Sequence, residues 1–138
     1  YYGGVEANRV LGAGDLSLKV QGIFDPDSQN DVFPRIRGYQ EELAAKKGAV
    51  FTLEYTHPLL RLRTGSWPLS LYLEDLYASV FVDAALPDEG EYQLAYGVEF
   101  YQEMKLNCAW LTLMLNPGVS IGINRDGESY VSFILKGL

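Results

Sequence analysis

The chain has 138 residues, 48% hydrophobic and 13% aromatic with ten tyrosines, which is enough for one domain with a sizeable core and too apolar for a disordered chain. Eleven basic against eighteen acidic side chains give a net charge of −7, which repels polyanions and argues against sequence-independent nucleic-acid binding. A single cysteine, Cys108, rules out an internal disulfide framework, and its apolar setting from Leu106 to Leu115 fits a packed small residue better than a nucleophile.

His57 is also alone and precedes Pro58, so a zinc site lacks its other ligands. The sequence does not open on a basic stretch followed by an apolar run, so no signal peptide is expected here, and a start at Tyr1 rather than Met reads as a cut. No window approaches the roughly 18 apolar residues of a membrane-spanning helix; a spanning strand needs only about 9–11 alternating residues.

In chain order, the dominant period is two. "GDLSLKVQGIF" sets Leu16, Leu18 and Val20 against Ser17, Lys19 and Gln21, then breaks at the turn-rich "DPDSQND". "YQEELAAKKG" has helical character from Gln40 to about Lys47, with Gly48 as a stop, and a loop accommodates the same residues equally well. "GAVFTLEYTHPLL" opposes Phe51, Leu53 and Tyr55 to Thr52, Glu54 and Thr56, and Pro58 predicts that regular pairing ends nearby. "LYASVFVDAAL" places Leu76, Ala78, Val80 and Val82 on one face and Asp75, Tyr77, Ser79, Phe81 and Asp83 on the other, before the turn "PDEGE".

"LAYGVEFYQEMKL" sets Tyr96, Val98 and Phe100 against Gly97, Glu99, Tyr101 and Glu103. "WLTLMLNPGVSIGI" breaks at Asn116-Pro117-Gly118, as one bent strand or as two. The last segment, "ESYVSFILKGL", opposes Val131, Phe133 and Leu135 to Ser132, Ile134 and Lys136. The class is all-β, an antiparallel meander of about six strands with no tandem repeat.

Periodicity alone does not separate a soluble β-sandwich from a membrane barrel. The polar face carries charges deep within the strands, at Lys19, Glu54, Asp83, Glu99 and Glu103, and the opposite face is Leu, Val, Phe and Tyr. A transmembrane barrel with a watery lumen has this pattern. Trp67, Tyr72, Tyr92, Tyr96, Tyr101, Trp110 and Tyr130 lie largely near strand ends, where an interfacial aromatic belt would sit, although aromatics also cap soluble β-cores. Enzymatic chemistry has little to stand on. Glu99 and Glu103 are about 13 Å apart along a strand, too far for a paired-carboxylate site, and phosphate loops, nucleophile elbows and metal clusters are missing from the sequence.

Read in order, "IRGY" (Ile36 to Tyr39), Gly48, "LEYTHPL" (Leu53 to Leu59) and "VFVDAA" (Val80 to Ala85) resemble the C-terminal half of bacterial surface-antigen barrels, the BamA type of outer-membrane assembly factor. The resemblance covers residues 30 to 138. It implies that 1–138 is one segment of a transmembrane β-barrel, its C-terminal portion, with an inserted loop at about 25–48. It also implies that the RGY tip folds back into the lumen, where Arg37 meets Asp83 of an F-x-D-x-G motif. Arg37, Gly38, Tyr39, Phe81 and Asp83 would form a structural lumen lock, without cofactor, metal or catalytic residue. Arg35 has no matching role, and solvent exposure is expected for it.

The sequence departs from the family at two places: Ala85 stands where the motif has glycine, and the end is "FILKGL" rather than a terminal aromatic. The stretch from Tyr96 to Asn124 also resembles the closing strands of surface-antigen-like barrels joined to TolB-like propellers. The implied partners are outer-membrane lipid, the remaining strands of the parent barrel and client outer-membrane proteins. The implied function is insertion or translocation of proteins at the bacterial outer membrane; the alternatives are a passive anchor or pore for a periplasmic propeller, or a soluble ligand-binding β-barrel.

Overall fold

The computed structural model describes residues 2–24, 36–39, 47–66, 70–108 and 111–136, with the side chains of residues 2, 23, 24, 66 and 108 excepted. The strands are β1 (Tyr2–Leu11), β2 (Gly14–Phe24), β3 (Lys47–Ser66), β4 (Leu71–Pro87), β5 (Gln93–Cys108), β6 (Leu111–Leu115), β7 (Pro117–Asn124) and β8 (Ser129–Leu135). They form one antiparallel meander in the order β1-β2-β3-β4-β5-β7-β8, with β6 also on β5. The sheet does not close on itself, as expected of part of a barrel.

Two details add to the sequence reading. β1 was not anticipated: Arg9 interrupts the apolar face of "YGGVEANRVL", and paired glycines weaken its start. Regular pairing does end near Pro58, at Thr56 with β2 and at a register shift after Pro58 with β4, but β3 itself continues to Ser66. The reason is local. Pairing of β2 with β3 stops at Asp15↔Thr56, so beyond that point β3 has only β4 beside it, and a proline is tolerated on such an edge.

The break at Asn116 resolves as one bent strand. β6 and β7 pair with β5 in a single register, Met104↔Leu115 and Tyr101↔Gly118 falling on either side of the bend. The segment Gln40 to Lys46, a helix or loop by sequence, lies outside the described residues, as do Arg35, Trp67 and Trp110. Lys47 is already the first residue of β3, so the connection between β2 and β3 spans 25–46.

The register carries the alternation across the sheet in coherent rows. Leu18, Leu53, Val82, Tyr96 and Ile123 follow one another from β2 to β7, and Leu16, Tyr55, Val80, Val98, Ile121 and Val131 from β2 to β8. Between them run polar rows, Thr52-Asp83-Ala95-Asn124 and Thr56-Ser79-Glu99-Ser120-Ser132. The apolar face is the more exposed one, with Val80 53% and Phe133 94% accessible, while Leu16, Tyr55 and Val98 are half-buried. Ser79, Asp83, Glu99, Ser120 and Asn124 are buried. This inverts the partition of a water-soluble fold.

The buried face is concave. β3 and β8 are separated by four strand spacings, about 19 Å on a flat sheet at ~4.8 Å each, yet Lys136 at the end of β8 bonds Glu54 on β3. Strong curling brings them together. Gly97 and Gly122 face each other on the inner side of β5 and β7, and a Cβ on either would run into the backbone of the neighbouring strand, so these glycines allow the bend.

Candidate functional site

The inner wall is built by β3, β4 and β5. Along β4, alternation places Ser79, Phe81, Asp83 and Ala85 on one face. Register then sets Glu54 of β3 opposite Phe81, and Glu99 of β5 opposite Ser79. Three carboxylates from three adjacent strands thereby share one patch.

Arg37, from the connection between β2 and β3, enters this patch. Its Nε donates to Asp83 Oδ2 at 2.6 Å and Nη2 to Oδ1 at 2.9 Å, a bidentate grip. Nη1 donates to Glu99 at 2.8 Å and to Glu54 at 3.2 Å. The guanidinium carbon lies 3.7 Å from the centre of the Phe81 ring, a cation–π contact strengthened by removal from water. The two-residue step from Phe81 to Asp83 supplies the ring under the cation and the carboxylate beside it. Burial by itself would pull the Arg37 pKa down; the bonds and charges of Asp83 and Glu99 override it and hold the value above the ordinary one.

The residues around Arg37 fix the loop tip. Gly38 has φ +83°, and a Cβ there would lie 2.7 Å from Cδ1 of Tyr130, so both the backbone conformation and the close approach require glycine. The Tyr39 hydroxyl donates to the Leu94 carbonyl at 3.1 Å and accepts from the amides of Leu94 and Arg125, each at 3.3 Å. Ile36 is buried with Val50 and Ala85, and Tyr39 packs against them. Ala85, where the resembled motif has glycine, is fully buried and its methyl fills this cluster.

The structure thus brings Arg37, Phe81 and Asp83 into contact, with Gly38 against Tyr130 of β8 and Tyr39 bonded to Leu94 of β5. The sequence reading paired Arg37 with Asp83 and placed Glu54, Ser79, Glu99 and Lys136 on polar strand faces without a partner. In the structure Lys136 Nζ donates to Glu54 and, at 2.7 Å, to Glu99. Alternation had already put these side chains on one face; which of them meet depends on register and curl.

Several other sequence candidates lie elsewhere. Tyr101 and Tyr130 face inward, Tyr101 stacked on Tyr77 with centroids 5.2 Å apart and Tyr130 against Gly38, so neither belongs to an outward aromatic belt. Tyr92 and Tyr96 are exposed. His57 stacks beside Tyr55 with ring centroids 6.3 Å apart, on the apolar side of β3. Among the described residues no helix is long and apolar enough to cross a membrane, which says nothing of strands.

A cavity of about 1060 Å³ opens between the loop tip, the β4–β5 and β7–β8 turns and the inner face of β8. No protein-family model, curated protein or solved structure was found that matches the chain.

Proposed function

We propose that this segment is the C-terminal portion of an outer-membrane β-barrel of the surface-antigen type, which takes part in insertion or translocation of proteins at the outer membrane. The observation that carries the reading is the inverted partition: the buried face holds Asp83 and Glu99, each 2% exposed, while the opposite face is open and apolar. Lipid is the surrounding that suits such an outer face, and a watery, charge-lined lumen suits the inner one.

The dimensions agree with this reading. On β4 the outward residues from Leu76 to Leu86 extend over ten residue steps, about 33 Å at ~3.3 Å per residue. At the usual barrel tilt of roughly 40° this is an apolar band about 25 Å tall. The longest connection, 25–46, leaves the same end of the sheet as the β4–β5 and β7–β8 turns; barrels of this kind carry their long loops on the extracellular side. The Arg37 tip would then fold inward from outside, and the end of β8 would face the periplasm.

The work proposed for the site is physical. Docked Arg37 joins β3, β4 and β5 through their carboxylates, fixes the inner wall and holds the loop as a lumen plug, without cofactor or covalent chemistry. The two open edges, β1 and β8, require further strands. An anchor or pore for a propeller has the same fold and differs in the domain it carries: assembly-factor periplasmic repeats in the full-length protein support insertion, and propeller blades support anchoring.

The testing experiment is fractionation of the full-length protein, with heat-modifiable gel mobility as the readout of a closed barrel. Recovery in detergent-extracted outer membrane with a mobility shift is expected. A soluble, unshifted protein would overturn the reading and leave a soluble β-domain in its place.

A further inference from the structure

Glu54 and Glu99 each face two cations that arrive from separate elements. Arg37 reaches both from the loop, and Lys136 reaches both from the end of β8. Asp83 differs: among the described residues both its oxygens accept from Arg37 and from no other cation. Lys136 has its own seat on the wall, with Nζ 3.4 Å from the Ser79 hydroxyl and 4.9 Å from the centre of the Tyr101 ring.

A carboxylate as enclosed as Glu99, whose side chain is 3% exposed, is costly to leave without a counter-ion. If Arg37 were the sole cation, withdrawing the loop would strip three carboxylates at once. The second cation changes this. We infer that Lys136 is a standing counter-ion of the inner wall, which keeps a cation shared between Glu54 and Glu99 when the Arg37 side chain is not seated. The inference rests on the reading of this face as the inside of a barrel.

With the loop docked, three carboxylates face two cations. With the loop withdrawn, Lys136 still serves Glu54 and Glu99, and Asp83 alone is bare. Asp83 is therefore the group that selects the docked state, and Glu54 and Glu99 are shared between states. Among the described residues Arg37 is thereby one of two cations on the wall rather than the sole counter-ion of Glu54 and Glu99, and the second follows the end of β8.

Two consequences separate this from a merely structural lysine. Arg37 and Lys136 compensate for one another, so the loss of both must exceed the sum of the single losses; loss of Asp83, which releases Arg37, must couple to the loss of Lys136 in the same direction. Removing Lys136 frees Glu54 and Glu99 for Arg37, so the loop should stay docked or tighten.

The test uses the full-length protein, with the midpoint temperature of the heat-modifiable transition and amide exchange of Gly38 and Tyr39 as readouts. The expected result is that Arg37→Met with Lys136→Met lowers the midpoint beyond the sum of the single shifts by about 3 °C or more, and that Asp83→Asn with Lys136→Met does so in the same direction. Exchange at Gly38 and Tyr39 should rise about tenfold or more in Asp83→Asn and should not rise in Lys136→Met, with Lys136→Arg matching the parent protein. An additive Arg37/Lys136 pair, or a Lys136→Met variant whose loop exchanges as fast as that of Asp83→Asn, would overturn the inference. A protein absent from the membrane fraction would instead fail the barrel reading, before any variant is compared.

Discussion

Both carboxylate oxygens of Asp83 accept hydrogen bonds from Arg37, 46 positions earlier in the sequence, at 2.6 and 2.9 Å. A planar fork matches a carboxylate in a way an ammonium cannot. Arg37→Lys should therefore keep the charge and lose the paired geometry, giving a smaller loss than Arg37→Met, for which removal of one partner of an enclosed ion pair predicts about 3 kcal/mol. Chemical unfolding of the purified barrel measures both. Equal stability of Arg37→Lys and the parent protein would show that position and charge alone suffice.

Gly38 satisfies two demands, and they can be separated. Gly38→Ala imposes a left-handed conformation on a residue with a Cβ, about 1–2 kcal/mol, and drives that Cβ against Tyr130. Tyr130→Ala in the same chain removes the second penalty and leaves the first. Protease accessibility of the loop should increase most in Gly38→Ala and be partly restored in the double variant; no restoration would mean that the backbone conformation carries the whole effect.

The Tyr39 hydroxyl ties the loop tip to Leu94 and to the amide of Arg125 in the β7–β8 turn. Tyr39→Phe keeps the ring in its cluster with Ile36 and removes these bonds, at about 1 kcal/mol. Faster amide exchange at Leu94 and Arg125, with the inner wall unchanged, is the expected pattern.

The apolar face gives the sharpest contrast between surroundings. Val80→Arg lies in the middle of the outward rows; in lipid it should cost about 2–4 kcal/mol and reduce recovery of folded protein from membranes. In water an exposed valine at 53% accessibility would accept the change within about 0.5 kcal/mol. Ser132→Arg, on the opposite parity of β8, serves as the control and should assemble normally. Equal recovery of the two variants would remove lipid as the partner of the outward face.

How much of this was legible beforehand varies by element. The alternation of β2, β3, β4, β5 and β8 could be read directly, because a strand's period of two survives any tertiary context. β1 was missed where a charged residue occupies the apolar parity; the end of regular pairing near Pro58 was legible, and the continuation of β3 beyond it was not, because a proline's tolerance depends on which neighbour is absent. Asp83 was reached only through the ordered resemblance, since a lone carboxylate in a strand has no local signature. Glu54, Glu99 and Lys136 were on the correct face but had no assigned partner.

The sequence by itself determined which side chains share a face, since backbone geometry alone sends successive residues to opposite sides. It did not determine which face turns inward, because a period of two is symmetric between the two choices. The tertiary structure decided that through the bend at Gly97 and Gly122 and the seating of Arg37. Curling brought β8 within reach of β3, and only then did carboxylates and cations scattered from position 37 to position 136 become one cluster. Register and curvature belong to the assembled sheet, and no short stretch of sequence contains them.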